Sequence, residues 1–216
     1  MKKIIVILVA AMLFAGGEAF AQLSVNAGYA YASLVSRASL SEAGEKAAFG
    51  GVYAGAGYTL RLAGGISFIP GVYYEYLARS EKSEGRVLDF IGETREHYLG
   101  IPLSFNYGVE LFPGIRFLLF AGPTLRIGLD SVTSYSIGWS VRDFEVIKGG
   151  LGDHNYNNGD YSRFDILLGG GLAVELLDRY RLQIGFDRGL LNRYTGETEG
   201  TQLHGHRMTA GVAFLF

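Results

Sequence analysis

The stretch Arg207-Met208-Thr209-Ala210-Gly211-Val212-Ala213-Phe214-Leu215-Phe216 changes character at every second residue. Met208, Ala210, Val212, Phe214 and Phe216 fall on one face of an extended chain, and Arg207, Thr209, Gly211 and Ala213 on the other, with Leu215 as the exception. Successive strand side chains point to opposite faces, so this is a strand with one apolar face. The same alternation recurs upstream. Phe117, Leu119, Ala121, Pro123, Leu125 and Ile127 oppose Arg116, Gly122, Thr124, Arg126 and Gly128. Phe164, Ile166, Leu168, Leu172 and Val174 oppose Arg163, Asp165, Gly169, Gly171 and Glu175. No segment sustains a helical repeat of apolar residues.

Eight strands are expected, near 23–34, 48–61, 66–78, 95–109, 115–129, 162–176, 181–190 and 204–216. Period-two alternation alone fits either a soluble sandwich, apolar face inward, or a membrane barrel, apolar face outward. The connections separate the two. Those after strands two, four and six are tight (62–65, 111–114, 177–180), and those after strands one, three, five and seven are long. Long and short connections in strict alternation over an even strand count describe an all-β, eight-stranded antiparallel up-and-down transmembrane β-barrel, with short periplasmic turns and long outer loops. Two aromatic girdles are expected where a ring meets the membrane interface. Tyr58, Phe68, Tyr107, Phe117, Tyr180 and Phe216 mark the periplasmic side, and Tyr31, Phe49, Tyr74, Tyr76, Phe164 and Phe186 the outer side.

The start of the chain agrees. Lys2 and Lys3 precede an uncharged run from Ile4 to Gly17 and a small-x-small site at Ala19-Phe20-Ala21. That is the pattern of a cleaved export signal over 1–21, leaving a barrel domain over 22–216. Composition excludes much else. Among 216 residues, 19 basic against 21 acidic side chains give a net charge of −2 and no footprint for nucleic acid. The absence of cysteine excludes disulfide scaffolds, thiolate catalysis, Cys-ligated zinc and a lipobox anchor. The 32 glycines, 14 tyrosines and 14 phenylalanines are unusual for a soluble core but suit strands that face lipid on one side and a narrow lumen on the other.

Four segments carry a likeness to a known family. They are Tyr98-Leu99-Gly100-Ile101-Pro102-Leu103-Ser104-Phe105-Asn106-Tyr107-Gly108-Val109, the run from Phe117 through Pro123-Thr124 toward Leu129, Arg163 through Glu175, and Phe186-Asp187-Arg188-Gly189-Leu190. Together they resemble the PorT-like outer-membrane β-barrel family, broadly similar to OmpA-type eight-stranded barrels. The resemblance implies outer-membrane localisation and an eight-stranded barrel. In addition, Thr209, Gly211, Phe214 and Phe216 resemble the β-signal read by the barrel-assembly machinery.

An eight-stranded barrel is just wide enough for side chains to fill its interior. The inward parity collects Glu75, Arg116, Arg126, Asp165, Glu175, Asp187 and Arg207, with Asn106 and Gln183. If strands five and six pair so that Arg116 meets Glu175, then Arg126 meets Asp165 and Phe120 covers Gly171. One register thus gives two salt bridges. Inward glycines at Gly50, Gly51 or Gly55 and at Gly169 and Gly171 make room for arginine and aromatic side chains. The expected lumen is a structural plug of ion pairs, with a gated ion path as the functional counterpart.

Catalytic and metal sites have weaker support. His97, His154, His204 and His206 all fall at outer rims or loops. A lipid-modifying enzyme would need one of them to converge with a serine such as Ser131 or Ser134 and a carboxylate such as Glu197. His204 and His206 share a face but lack a third metal ligand. Asp153 to Asp160 is rich in oxygen donors but lacks the spacing of a calcium loop. Arg188 and Arg193 are candidates for contact with anionic lipid phosphates. No cofactor and no catalytic or metal site is expected. The reading is a non-enzymatic outer-membrane barrel with a structural or surface-interaction role. Its partners are membrane lipid, the barrel-assembly machinery and an extracellular ligand or envelope protein. A small low-conductance channel and an outer-leaflet lipid-modifying enzyme stand as alternatives.

Overall fold

A computed structural model describes residues 21–37, 45–84, 88–139, 151–154, 156, 161–196 and 202–216. The strands are β1 (Ala21–Arg37), β2 (Glu45–Arg61), β3 (Ile66–Glu84), β4 (Leu88–Phe112), β5 (Ile115–Trp139), β6 (Leu151–His154), β7 (Phe164–Leu176), β8 (Tyr180–Gly189) and β9 (Gln202–Leu215). Each pairs antiparallel with its neighbours, β4 pairs with β5, and β1 pairs with β9, so eight strands close into a ring. The short β6 lies outside it, added to the outer extension of β5 through Val132–Tyr135. Closure leaves every barrel strand with a partner on both sides, which a sheet in lipid requires.

The turns at one end follow from local chemistry. Gly64 (φ 65°) and Gly65 (φ 81°) join β2 to β3, and Gly114 (φ 77°) follows Pro113 between β4 and β5. These left-handed positions are readily adopted by glycine. At the opposite end the strands run on. β4 and β5 each have 25 residues, against about 10 needed to cross a bilayer as a tilted strand. This corrects the expected long connections after strands three and five. β3 and β4 remain paired out to Glu84↔Asp89, and β4 and β5 out to Leu88↔Trp139, so much of the sequence expected to loop forms projecting ribbons. The expected export signal lies outside the described residues, except that Ala21 opens β1.

Burial decides which face is which. Leu119, Leu172, Ile184, Val212 and Met208 are each more than half exposed, whereas Glu75, Arg126, Glu175 and Arg207 are buried. A soluble sandwich would show the reverse, since charges are almost never fully buried unless paired. The apolar stripe therefore faces lipid and the polar face the lumen. Of the expected girdle residues, Phe49 is a correction. It points inward, is 4% exposed and joins a lumen cluster with Ala30, Tyr53, Tyr73, Leu77 and Tyr98.

Glycines make space for the lumen rings. A Cβ on Gly100 would strike the Tyr73 ring, one on Gly211 or Gly28 the Tyr53 ring, and one on Gly171 the Phe120 ring. Gly51 and Gly55 share the inward parity of β2, whereas Gly50 lies on the outer face beneath the Tyr29 hydroxyl.

Candidate functional site in the lumen

β5 and β7 pair in the expected register, Arg116↔Glu175, Phe120↔Gly171 and Arg126↔Asp165. The ion pairs follow it only in part. Arg116 Nη1 lies 3.5 Å from Glu175 Oε1, and Arg181 donates to Glu175 Oε2 at 3.0 Å through Nη2 and 3.3 Å through Nε. Arg126, however, does not bridge to Asp165. Its Nη2 donates to Glu75 Oε2 at 2.9 Å, and neither Asp165 oxygen accepts from another side chain among the described residues. The cause is curvature. A flat ladder brings cross-strand neighbours together, but a closed ring also aims β3 and β5 at one axis, where a long guanidinium reaches across.

Glu75 is the centre of the site. It is fully buried, and its second oxygen accepts from Arg207 Nε at 2.8 Å, while Arg207 Nη1 donates to Asp187 Oδ2 at 2.9 Å. Side chains from β5, β3, β9 and β8 thus form a crossbar through the barrel. Rings support it. The Arg126 guanidinium carbon stands 3.5 Å from the Tyr98 centroid, and that of Arg207 stands 4.5 Å from Tyr73 and 5.5 Å from Tyr53. Desolvated cation–π contacts of this kind contribute about 2 kcal/mol.

Above the crossbar lies a group that parity alone does not reveal. Arg193, in the connection after β8, is 3% exposed and turned inward, which corrects its expected place at the lipid interface. Its Nη2 donates to the Tyr156 hydroxyl at 3.1 Å, and its guanidinium carbon lies 5.5 Å from the Tyr98 centroid. Tyr98 in turn donates to Glu96 Oε2 at 2.6 Å. Tyr156 and Arg193 belong to two different outer connections, and both are drawn into the lumen. Among the described residues, four arginines (126, 181, 193, 207) and four carboxylates (75, 96, 165, 175) are buried. The balance meets the demand that charge in a low-dielectric interior be compensated.

Among the described residues, the remaining candidates do not assemble into a reactive site. His206 faces outward and stacks on Phe186 at 6.0 Å between centroids, and His97 packs with Tyr74 and Tyr76. Ser131 is buried on β5, three ring positions from β9, and Glu197 lies outside the described residues, as do Asn155 and Asn157 to Asp160. No cluster of three metal-ligating side chains occurs among the described residues. Arg188 is exposed on the outer face, cross-strand from His206. Thr209 and Gly211 lie on the inward parity of β9, and Phe214 and Phe216 on the outward one.

A closed eight-stranded ring with a lipid-facing apolar band and a charge-paired interior defines an outer-membrane-type β-barrel. The chain belongs to the outer membrane protein beta-barrel domain family, whose profile matches residues 16–194, and its place is the outer membrane. A comparison with curated protein sequences gave no match. Similar solved structures include Ail, the attachment invasion locus protein of Yersinia pestis, at 10% identity and a TM-score of 0.46, covering 91% of this chain and 99% of that one. Neisserial surface protein A is 18% identical with a TM-score of 0.46 over the same shares. The outer membrane enzyme PagL is 9% identical with a TM-score of 0.33, covering 87% and 98%.

Proposed function

We propose that this barrel is a non-enzymatic surface-interaction protein, whose lumen braces the wall and whose projecting ribbons present a recognition surface to an extracellular ligand or an envelope protein. The observation that carries this is the crossbar Arg126–Glu75–Arg207–Asp187, with Tyr98 and Arg193 packed over it. Side chains committed to one another leave little for a substrate. Meanwhile the backbone of β3, β4 and β5 rises well beyond bilayer thickness on the outer side. Within the family, the segments quoted above support a place near the PorT-like proteins. The outward Arg188 supports contact with lipid phosphates, and Thr209, Gly211, Phe214 and Phe216 support recognition by the barrel-assembly machinery.

The test combines three readouts on the folded barrel. Planar-bilayer recording should show no steady current, lipid A mass in expressing cells should be unchanged, and trimming the β3–β4 ribbon should preserve the heat-modifiable gel shift while abolishing ligand binding in a glycan and matrix-protein screen. A steady current altered by Asp165→Asn would instead favour the small channel. A lipid A mass change lost on His204→Ala would favour the enzyme.

A further inference from the structure

The lower lumen differs from the crossbar above it. Below Arg207 and Asp187 is a cavity of about 120 Å³ whose wall includes Tyr53, Tyr73, Asn106, Gln183 and Thr209. Below that, at the short-turn end, is a second cavity of about 300 Å³ whose wall includes Thr59, Ser67, Arg116 and Glu175. Arg181 lines both, and Ser67 of the lower cavity is register-paired with Asn106 of the upper one, so the two are stacked and adjoin.

A second observation is independent of volume. Thr59 Oγ1, Asn106 Oδ1 and the Tyr73 hydroxyl are buried with no hydrogen-bond partner in the protein among the described residues. They occur in order up the barrel, Thr59 at the mouth, Asn106 at the junction and Tyr73 beneath the crossbar. A buried polar group without a protein partner is usually satisfied by water, and these cavities are polar and have room for several. At and above the crossbar Arg126 Nε and both Asp165 oxygens also lack a side-chain partner among the described residues, but there Glu75, Leu77, Tyr98 and Leu167 are each 2% exposed or less, which leaves little room for water beside them.

We infer that the lower half of the lumen is an aqueous half-channel that opens to the periplasm and ends at the Glu75–Arg207–Asp187 crossbar, admitting water and small ions from that side only. This goes beyond a recognition role for the outer ribbons and does not depend on it. The half-channel accounts for three orphaned hydroxyl and amide groups that line it beside the Arg116–Glu175–Arg181 ion pairs.

The absence of native cysteine makes accessibility directly measurable. Two single-cysteine variants in detergent, Thr209→Cys in the upper cavity and Leu167→Cys above the crossbar, are exposed to 2-sulfonatoethyl methanethiosulfonate and followed by intact mass. The heat-dependent gel shift establishes that each is a folded barrel. Thr209→Cys should be modified, about ten-fold more slowly when Ser67→Trp fills the periplasmic mouth, and at an unchanged rate when Arg193→Ala loosens the outer side. Leu167→Cys should show the opposite dependence. If Ser67→Trp does not fold, Gln22→Trp at the same mouth replaces it. The inference is overturned if Thr209→Cys is inert while Ala63→Cys in the adjacent turn reacts. It is also overturned if the Thr209→Cys rate rises on Arg193→Ala and ignores the mouth.

Discussion

Arg126 stands directly across the β5–β7 ladder from Asp165, yet gives its hydrogen bond to Glu75 on β3. Among the described residues, Glu75 is thereby the one carboxylate shared by two buried guanidinium groups, those of Arg126 and Arg207. Removing it leaves both with a deficit of counter-charge. Glu75→Leu should lower unfolding stability by about 3–5 kcal/mol, read as an earlier urea midpoint in the gel-shift assay. Adding Arg126→Met, Arg207→Met and Asp187→Asn to that variant should restore most of the loss, since the crossbar then holds no charge that needs a counter-ion.

Asp165 should behave oppositely. Its carboxylate is 4% exposed and takes no hydrogen bond from another side chain among the described residues, so it bears a desolvation cost without a direct ion pair. Asp165→Asn should leave the urea midpoint unchanged or raise it. A loss as large as that of Glu75→Leu would show that Arg126 spends much of its time on Asp165.

Tyr98 contributes two separable interactions, a ring stacked against Arg126 and a hydroxyl on Glu96. Tyr98→Phe removes only the second. Tyr98→Leu removes both and should cost about 2 kcal/mol more, the size of a desolvated cation–π contact. Equal losses in the two variants would assign the effect to the hydroxyl alone.

The space beside the rings can be tested with a single methyl group. Gly100→Ala sets a Cβ into the Tyr73 ring and should destabilise by about 1–3 kcal/mol. Tyr73→Leu in the same chain should relieve that overlap, so the double variant should be more stable than the sum of the two single losses. Strict additivity would mean that the glycine serves the backbone and not the ring.

Orientation is open to labelling on intact cells. Glu81, exposed on the outer part of β3, and Ala63, exposed in the turn after β2, lie at opposite ends of the barrel. A bulky impermeant maleimide should label Glu81→Cys at once and Ala63→Cys only after the envelope is permeabilised. The reverse pattern would invert the barrel.

What could be read in advance depended on where each residue's environment is determined. Met208, Val212, Leu119 and Leu172 could be assigned to lipid because alternation is a local property, and the β5–β7 register followed because one choice aligned Arg116 with Glu175. The partner of Arg126 could not, since it depends on ring closure, which sets β3 and β5 on a common axis. Arg193 and Tyr156 were hidden for a related reason, because each follows a strand and has no parity until its connection folds inward. Phe49 resembled a girdle aromatic by its height along β2, and only its face distinguishes a lumen ring from an interfacial one. The outer parts of β4 and β5 resemble loops in the sequence because beyond the bilayer a strand no longer needs an apolar stripe.

The ladder between β1 and β9 joins the two barrel strands farthest apart in the chain. Every other neighbouring pair can form as a hairpin or across a single connection, at modest cost in loop entropy. This seam closes by far the longest loop, and it completes the ring. Without it the barrel has no partly closed form that satisfies the backbone in lipid. The same seam makes disassembly all-or-none, because opening it exposes two full strand edges at once.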